Sequence, residues 1–204
     1  MKFILISLTF FVGLIAIVNS QDFNGGILVG ISATQVDGDS YGGFNKAGLI
    51  LGAFVHRDFK EKIAGQIELK YIGKGSTNGN PKDYGYTFLY DLRLHYIEVP
   101  VLFQYEIIKN LSLEIGPGFG FLIKSVEKNE QGIMPDSKPF NKFELSGSVG
   151  VGYGFFERFK INARFSYSLL PIREHAGGGT YYSNKGQSNK VLEFILLVRM
   201  GKIN

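Results

Sequence analysis

One ten-residue segment constrains the fold more than any other part of the chain. From Tyr96 to Tyr105 every second residue, beginning at position 97, is apolar. Glu98, Pro100 and Gln104 occupy the positions between them. A period of two residues is typical of a β-strand with one apolar face and one polar face. The segment therefore predicts a strand that lies at the boundary between an apolar and a polar environment.

The same alternation recurs along the chain. Strands are predicted at 25–34, 46–56, 63–73, 92–105, 111–123, 143–155, 161–169 and 192–200. The connections between them alternate between long polar loops and short turns, as they do in even-stranded outer-membrane barrels. We therefore predict an all-β fold, an eight-stranded antiparallel transmembrane β-barrel with up-and-down topology. Because the strand count is even, both termini are expected on the periplasmic side.

The polar face decides between a membrane barrel and a soluble lipocalin-like ligand-binding barrel, whose apolar side chains would point inward. Here the polar positions are mostly Gly and Ser with isolated charged residues, which suits a narrow lumen better than a water-facing surface. Buried charges must pair, so we predict a structural polar cluster in the lumen. Its members are Glu68, Lys70, Glu98, Glu114, Glu144, Arg164, Glu193 and Arg199.

Within this cluster Glu98 requires a cationic partner, and Lys70, Arg164 and Arg199 are the candidates. Pro100 cannot donate a hydrogen bond to a neighbouring strand, and a closed barrel has no edge strand to accommodate it. We therefore predict a β-bulge, or a local break in pairing, at Pro100.

The N-terminus has the pattern of a secretory signal. A basic residue, Lys2, precedes a sixteen-residue apolar run and the small-residue sequence Val18-Asn19-Ser20. We predict a signal peptide at 1–20 and an outer-membrane β-barrel domain at 21–204. The run is shorter than the roughly 20 residues of a membrane-spanning helix. The expected partner is the lipid bilayer of the bacterial outer membrane, with the protein as a monomer.

Composition and motifs give little support to catalysis, metal binding or cofactor binding. The chain has no cysteine, and its net charge of +4 is scattered, so nucleic-acid binding is not indicated. The glycine run 147–154 falls within a strand and does not form a phosphate-binding turn. Asp37 and Asp39 with Asp22 lack the further ligands of a calcium loop.

The alternative from a different class is an outer-membrane lipid-modifying enzyme. Such an enzyme would need a histidine close to a hydroxyl and a carboxylate. His56, His95 and His175 are the only histidines. His56 is predicted near the short-turn end of the barrel, His95 near the opposite end and His175 in a loop, so no such set can be placed together. We therefore predict a non-enzymatic protein with a structural or envelope- and secretion-related interaction role, without cofactor or metal.

Four segments carry a family resemblance. The sequence from Tyr96 to Tyr105 resembles the tyrosine, acidic residue, proline and aliphatic motif of the PorT-type outer-membrane β-barrel family of the Bacteroidota. The segments 68–76, 116–120 and 162–167 are similar to that family's third, fifth and seventh strands, in the same order. The resemblance implies an outer-membrane barrel, and the family's named member supports assembly or secretion of other proteins across the envelope.

Overall fold

The protein is described by a computed structural model, which covers residues 24–39, 42–78, 90–129, 132–134, 138–174 and 186–200. The predicted signal peptide at 1–20 lies outside these ranges, as do Asp22 and His175. None of the described residues forms a helix long and apolar enough to cross a membrane.

The chain folds into one closed antiparallel β-barrel of eight long strands, which confirms the predicted fold class. A ninth strand of two residues, β6, pairs only with β5. In chain order the strands are β1 (Asn24–Asp37), β2 (Lys46–Lys60), β3 (Ile63–Thr77), β4 (Asp91–Ile108), β5 (Leu111–Asn129), β6 (Gly132–Ile133), β7 (Phe143–Phe155), β8 (Phe159–Ser168) and β9 (Ser188–Arg199).

Each long strand pairs with its neighbours in sequence, and the last strand pairs with the first. The pairing of β1 with β9, from Gly26 opposite Arg199 to Asp37 opposite Ser188, closes the wall. Closure satisfies the backbone groups that an open sheet edge would expose to lipid. Short turns follow β2, β4 and β7, and long connections follow β1, β3, β5 and β8. We refer to the two ends of the barrel as the turn end and the loop end.

Apolar side chains cover the outer wall in the alternation that the sequence predicts. Ile67, Leu69, Val101, Phe103 and Ile115 are all exposed large hydrophobic residues. Their strand neighbours of opposite parity are buried inside the barrel. An outward apolar band and an inward polar side are the arrangement of a membrane barrel, and a lipocalin-like barrel has the reverse.

The lumen contains apolar side chains in addition to the predicted polar cluster. Leu28, Ile50, Phe54, Ile195 and Leu197 point inward and are almost fully buried. They come from β1, β2 and β9 and belong to an apolar core that also includes residues of β3 and β4, so apolar and charged side chains share the lumen. This arrangement explains why the first two strands are apolar on both parities.

Strands β4 and β5 extend beyond the apolar band at the loop end, and a bulge separates their two parts. The pairing register changes between His95 and Tyr96, because Tyr96 lies opposite Leu122 whereas His95 lies opposite Lys124. Ile123 is the extra residue. The predicted fifth strand stops at Ile123 because the alternation changes phase there, but the pairing continues to Asn129.

The wall around Pro100 contains interrupted pairing and no bulge. The register is the same on both sides of Pro100, since β4 pairs with β5 at Pro100–Gly118 and again at Phe103–Ile115. The bulge predicted at Pro100 is therefore not present, and its alternative, a local break, is. Pro100 has no N–H to donate to the Glu68 carbonyl, which lies opposite it on β3. The hydrogen bond at that position of the ladder is therefore not formed.

A second proline, Pro117, breaks the ladder on the other side of β4. Continuing the register places Pro117 opposite Val101, and neither Val101 nor Leu102 has a ladder partner on β5. Pro117 cannot donate to the Val101 carbonyl. The adjacent Gly116 allows a close approach there, because a Cβ at Gly116 would lie 1.9 Å from the Val101 carbonyl oxygen.

Candidate functional site

The centre of the lumen is organised around Arg164, which β8 presents inward and which is fully buried. Its Nη1 and Nη2 donate to the two carboxylate oxygens of Glu68 at 2.9 and 2.8 Å. Its Nε donates to Glu114 at 2.7 Å, and Glu193 lies 3.6 Å away. A planar guanidinium suits such bidentate contacts. Arg164 therefore ties β8 to strands on the opposite side of the lumen.

Two lysines on β3 extend this network toward the loop end. Lys70 pairs with Glu193 and lies 3.5 Å from Glu98. Lys74 lies 2.5 Å from Glu98 and 3.0 Å from Glu144. Lys70 is thus one partner of Glu98, as the sequence allowed. Lys74 is a second partner that the sequence analysis missed, because the predicted strand ended one residue before it.

Neutral side chains complete the hydrogen bonding of the carboxylates. Ser166 donates to Glu193 at 2.9 Å, and Ser168 donates to Glu144 at 2.6 Å. The other donors are Asn162 to Glu114 at 2.8 Å, Gln66 to Glu68 at 2.7 Å and Asn189 to Glu144 at 3.2 Å. Alternation alone indicated these inward positions, but their role as donors follows only from the register between strands.

The ion-paired network contains more acids than bases. Its five carboxylates are those of Glu68, Glu98, Glu114, Glu144 and Glu193, and its three cations are those of Lys70, Lys74 and Arg164. Every carboxylate contacts at least one of these cations, but each cation is shared, and the hydrogen bonds from serine, asparagine and glutamine supply further stabilisation. Among the described residues, no three histidine, aspartate or glutamate side chains are grouped as a metal site would require.

Arg199 lies apart from this network, although the sequence analysis included it. It lies at the turn end, where it lines an open cavity of about 420 Å³ together with His56 and Lys160. Within the described part of the chain it forms no ion pair. Seven of the eight residues of the predicted cluster therefore meet in the lumen, whereas Arg199 lies at the opening of the lumen at the turn end.

A second cluster closes the lumen at the loop end. Arg173 makes two hydrogen bonds to Glu127, at 2.8 and 3.1 Å, and Tyr90 donates a third at 2.8 Å. The Arg173 guanidinium also lies over the Phe140 ring, 4.1 Å from its centroid, and donates to Gln187 at 3.0 Å. These residues come from four separate connections and strand ends, so sequence spacing gave no signal for this cluster.

This loop-end cluster lies above the apolar band, and its charges perturb each other. Burial raises the pKa of the Glu127 carboxyl, but hydrogen bonds from Arg173 and Tyr90 have the larger combined effect and hold that pKa below its ordinary value. Burial and the adjacent Glu127 raise the pKa of the Tyr90 hydroxyl. The cluster therefore contains an ionised carboxylate and a neutral phenol at neutral pH.

The remaining candidates from the sequence are scattered. His56 lies 3.0 Å from Asp58 at the turn end, and His95 lies 2.6 Å from the Tyr71 hydroxyl on the outer wall near the loop end. The glycine run 147–154 lies within β7. Asp37 forms an ion pair of 2.6 Å with Lys190.

Solved structures of a known protein share this architecture. The structure is similar to Ail, the attachment invasion locus protein of Yersinia pestis, in complex with the heparin analogue sucrose octasulfate. That comparison has 16% identity, 88% coverage of this chain, 99% coverage of Ail and a TM-score of 0.51. Ail in a phospholipid bilayer nanodisc is similar to the same extent, with 16% identity, coverage of 88% and 100%, and a TM-score of 0.50. At this identity the likeness shows the fold alone.

Membership of a family rests on the sequence itself. No protein with a curated description matches the chain. Residues 19–174, which include most of the barrel wall, match the family described as outer membrane protein beta-barrel domain. This match agrees with the closed wall, the outward apolar band and the filled lumen described above. The chain belongs to the outer membrane protein beta-barrel domain family.

Proposed function

We propose that this protein is a non-enzymatic outer-membrane barrel that acts as a rigid support for its long loop-end connections, which contact other components of the envelope. The observation that carries the proposal is the lumen network around Arg164. Its bonds to Glu68 and Glu114 cross the interior and occupy the space through which a solute would pass. An eight-stranded barrel has an interior that side chains can fill.

We further propose that both chain ends are periplasmic and that the loop end faces the outside of the cell. The even number of wall strands and the alternation of short turns with long connections support this orientation. A PorT-type role in assembly or secretion is supported by the motif resemblance around Tyr96 to Tyr105. The proposed partners are the outer-membrane lipids and an envelope protein, with the barrel itself as a monomer.

The orientation can be tested with single cysteines, because the chain has none of its own. Lys128→Cys places a thiol at the loop end, and the matched control Lys109→Cys places one in the turn after β4. A membrane-impermeant maleimide added to intact cells should label the first variant only. Labelling of Lys109→Cys alone would reverse the proposed orientation.

The supporting role can be tested by photo-cross-linking from the same two positions. A photoreactive residue at 128 should capture a specific envelope protein, whereas one at 109 should not capture that protein. Purified protein in planar bilayers should show no stable ion conductance, because the lumen is filled. A conducting wild-type barrel, or the absence of any loop-end cross-link, would contradict the proposed function.

A further inference from the structure

The outer wall of β4 and β5 carries a cluster of cations at the loop end, just above the apolar band. We define the basic face as Arg93, His95, Lys124 and Lys128. In the pairing register His95 lies directly opposite Lys124, and Lys128 lies opposite Asp91. Residues directly opposite in an antiparallel pair have Cβ atoms about 5 Å apart. The basic face is therefore a compact surface formed by two neighbouring strands.

The β-bulge at Ile123 creates this face. In the register that holds through Tyr96 and Leu122, Ile123 would lie opposite His95. The extra residue shifts the pairing by one, so that Lys124 takes this place and Lys128 also faces outward, four pairs further along the strands. Bulges re-aim side chains and are over-represented beside functional sites. The bulge thus replaces an apolar neighbour of His95 with a cation.

The cations of this face exceed its carboxylates. Asp91 pairs with both Arg93, at 2.8 Å, and Lys46 on β2. No carboxylate in the described ranges lies within ion-pair distance of Lys124 or Lys128. Of the three lysine and arginine side chains of the basic face, only Arg93 therefore has a carboxylate partner, and Arg93 shares that partner with Lys46. Burial and the positive charges of Lys124, Arg93 and Lys46 lower the pKa of the His95 imidazole.

Aromatic side chains border the basic face. The Tyr71 hydroxyl contacts Nδ1 of the His95 ring at 2.6 Å. Below, toward the apolar band, Phe121 and Phe143 pack edge to face with centroids 5.4 Å apart. Phe143 is 77% exposed. Cations above aromatic rings at the edge of an apolar band match a lipid with a negatively charged headgroup and acyl chains.

We propose that the basic face binds the phosphate headgroup of an outer-leaflet glycolipid, with Arg93 and Lys124 contacting the phosphate and the Phe121–Phe143 pair contacting the acyl chains. The assignment of this lipid to the outer leaflet rests on the proposed orientation. The proposed binding chemistry does not depend on that orientation. A flat peptide or sulfated glycan would use the same charges without the apolar contacts directly below them. The position of the face at the top of the lipid-facing wall favours a lipid.

The test uses the purified full chain in detergent, with bisphosphorylated lipid A as the probe and native mass spectrometry or fluorescence titration as the readout. Each cation near a charged membrane surface contributes about 1 kcal/mol, which corresponds to about fivefold in affinity. Arg93→Gln with Lys124→Gln should therefore weaken binding about 25-fold. The matched control Lys109→Gln, at the turn end, should leave binding unchanged. A change in electrophoretic mobility on heating confirms that each variant is folded before heating.

Four outcomes would overturn the proposal. One is equal affinity of wild type and the double variant, and another is equal binding of lipid A with its phosphates removed. The third is binding of a soluble heparin fragment as tight as that of lipid A, which would identify a glycan surface. Millimolar inorganic phosphate should not displace the lipid. Displacement would show that the basic face binds free anions and not specifically a lipid headgroup. Because the assay uses purified protein, its result is independent of the cell-labelling test of orientation.

Discussion

Substitution of Arg164 by methionine is the most direct test of the lumen network. Methionine retains most of the side-chain volume but removes the cation that contacts Glu68, Glu114 and Glu193. The network then holds five carboxylates against two cations. Breaking a buried ion pair by removing one partner costs about 3 to 5 kcal/mol, because the remaining charge is left uncompensated. We expect Arg164→Met to lower the free energy of unfolding by that amount.

The measurement is equilibrium unfolding in urea of the protein folded into phospholipid vesicles, followed by electrophoretic mobility without heating. The control is Ser148→Ala, which removes only a hydrogen bond of 2.9 Å between two buried hydroxyls. That change should cost about 1 kcal/mol. The two variants compare a buried charge with a buried neutral group in the same lumen.

A double-mutant cycle isolates the pair from the rest of the network. Glu68→Gln removes the carboxylate that Arg164 contacts through two hydrogen bonds, so the double variant should lose about 2 kcal/mol less than the two single losses together. Additive losses would show that the two residues do not interact as described. A loss below about 1 kcal/mol for Arg164→Met would refute the reasoning, because a buried carboxylate cannot be orphaned at so small a cost.

Three further predictions concern other parts of the barrel. Gly116→Ala should destabilise the protein by about 3 kcal/mol in the same assay, since its Cβ would clash with a carbonyl oxygen at 1.9 Å, whereas Gly147→Ala, with its nearest neighbour at 3.5 Å, should have little effect. Pro100→Val should stabilise by about 1 kcal/mol, because it restores a ladder donor, and a loss of stability would contradict the interrupted pairing. The folded-state pKa of Glu127 is depressed, so its contribution is present above the ordinary value of about 4.5 and is lost as pH falls through the folded value. The Ile172 amide is adjacent in sequence to Arg173, which hydrogen-bonds to Glu127. Hydrogen exchange at this amide, corrected for intrinsic rates, should therefore accelerate in acid. Glu127→Gln should abolish that pH dependence.

Alternation in the sequence was sufficient to predict the wall. The strand from Phe143 to Phe155 has the predicted bounds because its apolar and small residues alternate without interruption. Strand β5 was predicted too short because a bulge at Ile123 moves the outward face to the other parity, where lysines interrupt the apolar row. A phase change of one residue is indistinguishable in a single sequence from the end of a strand.

The sequence predicted most of the residues that belong to the lumen site but not which of them contact each other. Inward parity identified Glu68, Glu114 and Arg164, but only the stagger between strands determines which of them meet. Lys74 shows the limit most clearly, since it has the same parity as Lys70 and was lost only because the strand was ended at Gly73. Glu127 and Arg173, which contact each other, are 46 positions apart in the sequence. The periodicity of the sequence gives no information about such a contact.

The wide sequence separation of the lumen ion pairs has a consequence for the order of folding. Arg164 and Glu68 are 96 residues apart, and Lys70 and Glu193 are 123 apart. Such contacts form only after the intervening strands have come together, because the entropy of closing the loop must be overcome first. We therefore expect the network to be absent from the transition state for insertion. Interactions that form late slow unfolding more than they accelerate folding, so the ion pairs should act chiefly by lengthening the lifetime of the inserted barrel.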